Sequence, residues 1–350
     1  MTGAASIGAA HATPSALAAG VDVGVGARWH DVPVTRVAAI DCGTNSIRLL
    51  VADVDTEAGT LVDLHRSNEV VRLGQGVDRT GLLAPDALER TLAAARRYRE
   101  VCDGLGAQTV RFVATSATRD ARNRDEFVAG VRDALGVDPE VIGGDEEARL
   151  SFRGATGVLA GRFEGPFLVV DLGGGSTELV LGTDAPQAAL SMDVGSVRLT
   201  ERHLHDDPPT PAQVAAADAD VQAALDAAAQ VVPLGRAVTL VGLAGSVTTL
   251  TAHALGLDGY DRDRIDGAVL GVDDVLAACE DMLGRTREQR AALPYLHPGR
   301  IDVIGAGALV WRDVVARVRD AVAADGRTLE HVVTSEHDIL DGIAWSVAER

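Results

Sequence analysis

With 350 residues, 47% of them hydrophobic and 24% charged, the chain is too long for one compact core, suits two lobes of roughly 150 residues each, and is not mainly disordered. A net charge of −19 argues against a broad basic footprint for nucleic acid or an anionic membrane. All 32 basic residues are arginine, which removes a Walker A loop, Schiff-base catalysis and a Ser-Lys dyad.

Residues 1–34 are rich in Ala and Gly, lack both a basic leader and a dense aliphatic run, and are expected to be a flexible tail rather than a secretory signal. Residues 37–52 (VAAIDCGTNSIRLLVA) read as a strand, a tight Gly-containing turn and a returning strand. Then come a helix over 85–103 with Pro at its start, the strand VRFVAT, a polar turn SATRDARN, and the helix DEFVAGVRDALG stopped by Gly136. EVIGG, a strand and turn, leads into the helix DEEARLSFRGATGVLAG. Residues 167–182 (FLVVDLGGGSTELVLG) are a second strand–turn–strand, followed by the strand ALSMDVG, a helix over PPTPAQVAAADADVQAALDAAAQVV, the strand AVTLVGL, a turn AGS and the helix VTTLTAHALG. Helices are expected over 272–283 and 301–324 before the closing VVTSEHDILDGIAWSVAER. The longest apolar stretch, 237–257, is broken by Gly, Ser and Thr, so no transmembrane helix is expected. Cys42, Cys102 and Cys279 are odd in number and fall inside apparent strands or helices, which predicts reduced, packed thiols in a cytoplasmic protein.

The two strand–turn–strand segments superpose without a gap at an offset of 130, pairing Asp41 with Asp171, Gly43 with Gly173, Ser46 with Ser176 and Arg48 with Glu178. A duplicated lobe is the simplest cause. Alternating strands and helices in two related halves predict an α/β protein with two mixed sheets. Gly-rich turns let backbone N–H groups converge on an anion, through φ > 0 and the lack of a Cβ, and Ser and Thr add hydroxyl donors. Two such turns facing across a cleft would grip a phosphate from both sides.

In DLGGGSTEL (171–179), Asp171 and Glu178 stand at the two strand ends of one turn and can meet over its mouth, where carboxylate oxygens suit Mg²⁺. In GGDEEARLSF, helix capping and the helix dipole alone favour acids, but three in a row exceed that need, and one Glu could take a proton from water. Arg119 and Arg122 follow a strand at the cleft edge and could hold anionic oxygens; Arg48 alternates out of an aliphatic strand after the first turn. GLAGS offers amides at a helix start, and DVGSVR brings Ser196 and Arg198 within reach of an anion. The nine histidines show no metal-ligand spacing.

With DCGTNSIRLLVADV, VATSATRDARN, VIGGDEEARL, VVDLGGGSTELVLG and GLAGSVTTL in order over residues 37–342, the chain resembles the exopolyphosphatase and guanosine pentaphosphate phosphatase (Ppx/GppA) family of the actin-like ATPase superfamily. That resemblance implies two duplicated actin-like (ribonuclease H-like) lobes with an interlobe cleft: lobe I over 35–148, lobe II over 149–337, and a C-terminal helix near 338–350 packing back on lobe I. It implies Glu147 as catalytic base, Arg119 as a substrate-facing cation, and Asp171 and Glu178 as ligands of Mg²⁺. The phosphate loops would be Gly43, Thr44, Asn45 and Ser46 in the first copy and Gly173, Gly174, Gly175 and Ser176 in the second, with Arg48, Ser196, Gly245 and Ser246 as further substrate contacts. The chain looks like the short two-lobe form, and where a family element often carries an arginine it has Leu340. The expected reaction is release of orthophosphate from inorganic polyphosphate. The expected alternatives are removal of the 5′ γ-phosphate of guanosine pentaphosphate, a kinase of the same superfamily, and a non-catalytic phosphate or nucleotide sensor, against which the intact acidic set argues. The scarcity of aromatics to stack a base favours the inorganic polymer. The family often pairs its lobes, which implies a homodimer, though no surface stretch marks the interface.

Overall fold

Every second residue of a strand faces the same side, so a strand apolar throughout needs a cover on both faces. Strand β1 (Thr35–Cys42) is apolar from Val37 to Ile40 and buried on both faces there, and it pairs antiparallel with β2 (Ser46–Asp55) across the first glycine turn. The computed structural model describes residues 34–349; the expected tail, apart from Val34, lies outside the described residues. Strands β3 (Thr60–Val70), β4 (Thr109–Ala114) and β5 (Glu140–Val141) complete a five-stranded sheet in the order β3-β2-β1-β4-β5, with β4 and β5 parallel to β1.

The second sheet repeats this plan. Strands β6 (Phe167–Leu172), β7 (Thr177–Gly182), β8 (Pro186–Met192), β9 (Thr239–Leu243), β10 (Val269–Gly271) and β11 (His331–Thr334) lie in the order β10-β11-β9-β6-β7-β8. Read from β8 inward this is the same antiparallel triplet followed by two parallel strands, with β10 added at the edge. Both sheets thus have the ribonuclease H-like strand order, an α/β fold of two mixed sheets.

One face of the first sheet packs Ile40, Leu49 and Val51 against Tyr98 of the helix Pro85–Leu105 and Phe127 of the helix Arg124–Leu135. Its other face packs Val37, Ala39 and Leu50 against Ile343 and Ala344 of the C-terminal helix Ile339–Ala348. The second sheet buries Leu168 and Val170 with Trp311 of the helix Ile304–Ala324 on one face, and Val169 and Val180 with Phe152 of the helix Gly144–Leu159 on the other. The helix that follows the first sheet's last strand therefore covers the second sheet, and the helix that follows the second sheet's last strand covers the first.

Some local expectations need correction. The polar turn SATRDARN contains a short helix, Ser116–Asp120, and the strand expected to run on to Gly195 ends at Met192. Strand β3 was not anticipated, because an edge strand with one solvated face carries a polar alternating sequence that also reads as loop. Cys42, Cys102 and Cys279 are free and buried, as packed thiols.

Candidate active site

The two glycine turns have one hydrogen bond in common: Gly43 N–H donates to Ser46 O at 2.9 Å, and Gly173 N–H to Ser176 O at 3.0 Å. They also meet. Thr44 Oγ1 and Ser116 Oγ lie 2.8 Å apart, and a Cβ on Gly175 would sit 2.6 Å from Thr44 Oγ1 and 2.5 Å from Ser116 Oγ. None of Gly43, Gly173, Gly174 and Gly175 has the positive φ expected of turn glycines. At Gly175 the close approach of Ser116 and Thr44, and not a left-handed backbone, leaves no room for a Cβ, and at Gly174 Thr44 makes the fit tight. The positive φ falls instead on a non-glycine, Ala244 at +65°, where strand β9 turns into the helix Ala244–Ala254.

Between the turns lies a cavity of about 540 Å³. From the first hairpin it takes Asp41, Gly43, Thr44, Asn45, Ser46 and Arg48, and from the second Asp171, Gly173, Gly174, Ser176 and Glu178. Glu147, Ser196, Gly245 and Ser246 also line it. Four of the expected residues do not, among them Arg122, which donates to Thr80 O at 2.9 Å. Gly175 is turned against Thr44 and Ser116, and Arg119 stands behind Glu147, donating to its Oε2 at 3.2 Å and to Ile142 O at 3.1 Å. Arg198 is drawn off to the far side of the turns, where it donates to Gly175 O, Asp78 and Asp120.

The duplicated register sets two different pairs at the same place. Asp41 stands directly across from Arg48 and accepts its hydrogen bond at 2.7 Å; Asp171 stands directly across from Glu178, so like charges face each other. Burial, then Glu178, then Asp338 push the Asp171 carboxyl up to about 7. Burial also raises Glu178, and burial and the neighbouring Glu178 raise Glu147 well above the usual carboxylate range, against the pull of Arg119. Asp171 Oδ2 accepts from Ser151 Oγ at 2.6 Å and Glu178 Oε1 from Ser191 Oγ at 2.7 Å, which fixes both side chains.

These acids fit a hard divalent cation. Buried carboxylates raised by mutual repulsion are relieved by positive charge, and Asn45 Oδ1 is buried on the same cavity without a hydrogen-bond partner. Among the described residues no group of three or more His, Cys, Asp or Glu is placed to hold a metal ion.

Several cavity residues escaped the sequence reading. Asp338 reaches Arg48, and Arg66 lies between Asp63 and Asp341. Arg300 lies over Gly245 where a Cβ would overlap its guanidinium, and burial together with Arg48 pulls it below the usual arginine range. Tyr260, 44% exposed, and Tyr295 line the same cavity. No local motif marks them, because segments far apart in sequence deliver them. Leu340 is buried at the cavity wall.

Fold and cavity together define the class: two ribonuclease H-like sheets that close on one acid-lined cleft between paired glycine turns. Residues 50–329 match the Ppx/GppA phosphatase family. Exopolyphosphatase 2 of Mycobacterium tuberculosis is 52% identical over 322 residues, covering 90% of this chain and 99% of that protein. The crystal structure of an exopolyphosphatase-like protein superposes with a TM-score of 0.86 at 49% identity, covering 89% of this chain and 97% of the other. That of the Ppx/GppA enzyme of Aquifex aeolicus gives a TM-score of 0.73 at 29% identity, covering 90% of this chain and 100% of the other. The chain belongs to the Ppx/GppA phosphatase family. No helix among the described residues is long and apolar enough to cross a membrane.

Proposed function

We propose that the protein is an exopolyphosphatase, which hydrolyses the terminal phosphoanhydride bond of inorganic polyphosphate and releases orthophosphate. The Mycobacterium tuberculosis relative carries that activity in its name. The observation that carries the reading here is the convergence of Glu147, Asp171 and Glu178, all buried, on a cavity bracketed by two glycine turns.

Phosphoryl transfer asks a protein mainly for alignment and charge stabilisation. The turn amides and the hydroxyls of Thr44, Ser46 and Ser176 hold the terminal phosphate. Asp171 and Glu178 hold the magnesium, which when bound offsets the charge of the phosphate oxygens. Glu147 orients a water and takes its proton as the water oxygen bonds to the terminal phosphorus. The bond from that phosphorus to the bridging oxygen breaks, leaving orthophosphate and a chain shorter by one unit. A carboxyl raised by burial is a stronger base than one at the surface. Arg119 fixes Glu147 in place instead of meeting the substrate. The two sheets with their covering helices act as lobes, Gly144–Leu159 going with the second sheet and Ile339–Ala348 with the first, and their closure keeps bulk water out.

The Glu147→Gln enzyme, assayed for phosphate release from polyphosphate with magnesium, should lose about 100-fold or more in kcat with a little-changed KM. Full activity would remove Glu147 from the role. A second reading, hydrolysis of guanosine pentaphosphate, is favoured by the exposed ring of Tyr260 on the cavity wall, a surface on which a base can stack. Phosphate release compared across polyphosphate, guanosine pentaphosphate and ATP separates the readings.

A further inference from the structure

Arg48 is held between two carboxylates. Its Nε and Nη2 donate to Asp41 Oδ2 at 3.0 and 2.7 Å from the opposite strand, and its Nη1 pairs with Asp338 Oδ2. One positive charge therefore faces two negative ones on the cavity wall, with the Asp338 side chain only 6% exposed. The two carboxylates are held differently. Asp41 belongs to the hairpin itself and sets the direction of the guanidinium. Asp338 comes from 290 residues away in sequence, as the cap of the C-terminal helix: its Oδ1 accepts the Leu340 N–H at 3.0 Å, and its own N–H donates to Asp341 Oδ2 at 3.1 Å. The helix is packed on the first sheet, so the cap holds the second carboxylate at a constant place beside Arg48.

Asp41 takes the Nε and Nη2 edge of the guanidinium, so a phosphate that grips Arg48 with two hydrogen bonds from the cavity turns to Nη1 and Nη2, and Asp338 already stands at Nη1. We infer that Asp338 is an internal competitor for the anion at Arg48: substrate takes the guanidinium from it, and the pair re-forms as orthophosphate leaves. The inference rests on Arg48 being a substrate contact. It makes Asp338 a residue that acts through Arg48, weakening substrate and product together and so keeping the cavity from filling with its own product.

Asn and Ser both cap helices, so Asp338→Asn and Asp338→Ser remove the charge and keep the cap. In the full-length enzyme, each should lower the KM for polyphosphate and the inhibition constant of orthophosphate by about three- to tenfold, with kcat changed less than about twofold. Thermal denaturation reports that both are folded. A merely structural role would raise these constants or leave them unchanged. The same substitutions in an Arg48→Gln background should lose most of that gain, keeping only the part that comes through the Asp171 carboxyl, which Asp338 also pushes up. An equal gain with and without Arg48 would overturn the inference in favour of the general field of the cavity. If Arg48→Gln raises KM about tenfold or more and neither Asp338 variant lowers it, the inference fails while Arg48 stands as a substrate contact. If Arg48→Gln leaves KM unchanged, the reading of Arg48 falls and the inference with it.

Discussion

A carboxyl buried across from another carboxyl is held near neutrality by two costs, lost hydration and repulsion. Asp171 bears both, and its proton stays on to about 7 against an ordinary value of 3.8. Because the folded-state value is the higher one, this group favours folding below about pH 4 and costs stability as pH rises through about 7. A divalent cation bound to the folded state offsets that cost. Magnesium should therefore raise the melting temperature more at pH 8 than at pH 5.5, with proton release on binding near pH 7 in calorimetry. An equal stabilisation at both pH values would place the metal elsewhere. That Asp171 and Glu178 could meet was legible in the sequence, since their spacing across one tight turn makes them cross-strand partners. That Arg48 is already claimed by two acids was not, because one of them arrives with a helix at the other end of the chain.

At the scale of the element, the repeat was the most readable feature, and the matched registers of β1–β2 and β6–β7 accord with it. The positive φ expected of the turn glycines is absent; at Gly175 the missing Cβ instead makes space for Thr44 and Ser116, carried there from the first sheet's side. Gly175→Ala tests the distinction. With a Cβ about 2.5 Å from Ser116 Oγ, either that buried, hydrogen-bonded hydroxyl turns away or the turns part, and a displacement near 1 Å should cost roughly 100-fold in kcat/KM. Gly175→Ala together with Ser116→Gly should recover part of the loss, whereas a purely conformational demand for glycine would leave the double variant as poor as the single one.

Across the whole molecule, the two sheets are joined by an exchange of helices. The helices Gly144–Leu159 and Ile339–Ala348 each cover one sheet, and they touch through Gly154 and Gly342, where a Cβ would overlap Asp338 O and Leu150 O respectively. Backbone this close cannot yield as a side chain can. Gly342→Ala should thus destabilise the fold by about 3 kcal/mol or more in denaturant titrations, and should also disturb Asp338, which caps the same helix. A change under about 1 kcal/mol would show that the helix pair can move apart freely.

The order of apolar runs, glycine turns and acids determined the duplicated α/β fold and set Asp171 across from Glu178, because those depend on periodicity and spacing over a few residues; the choice of Glu147 among three neighbouring acids came from the family resemblance. Tertiary structure decided which charges meet. Arg119 behind Glu147, Arg198 on the far side of the turns, and Asp338 and Arg300 at the cavity wall are set by contacts between segments up to hundreds of residues apart. Electrostatic interaction depends on distance and burial in space, and a linear sequence records neither.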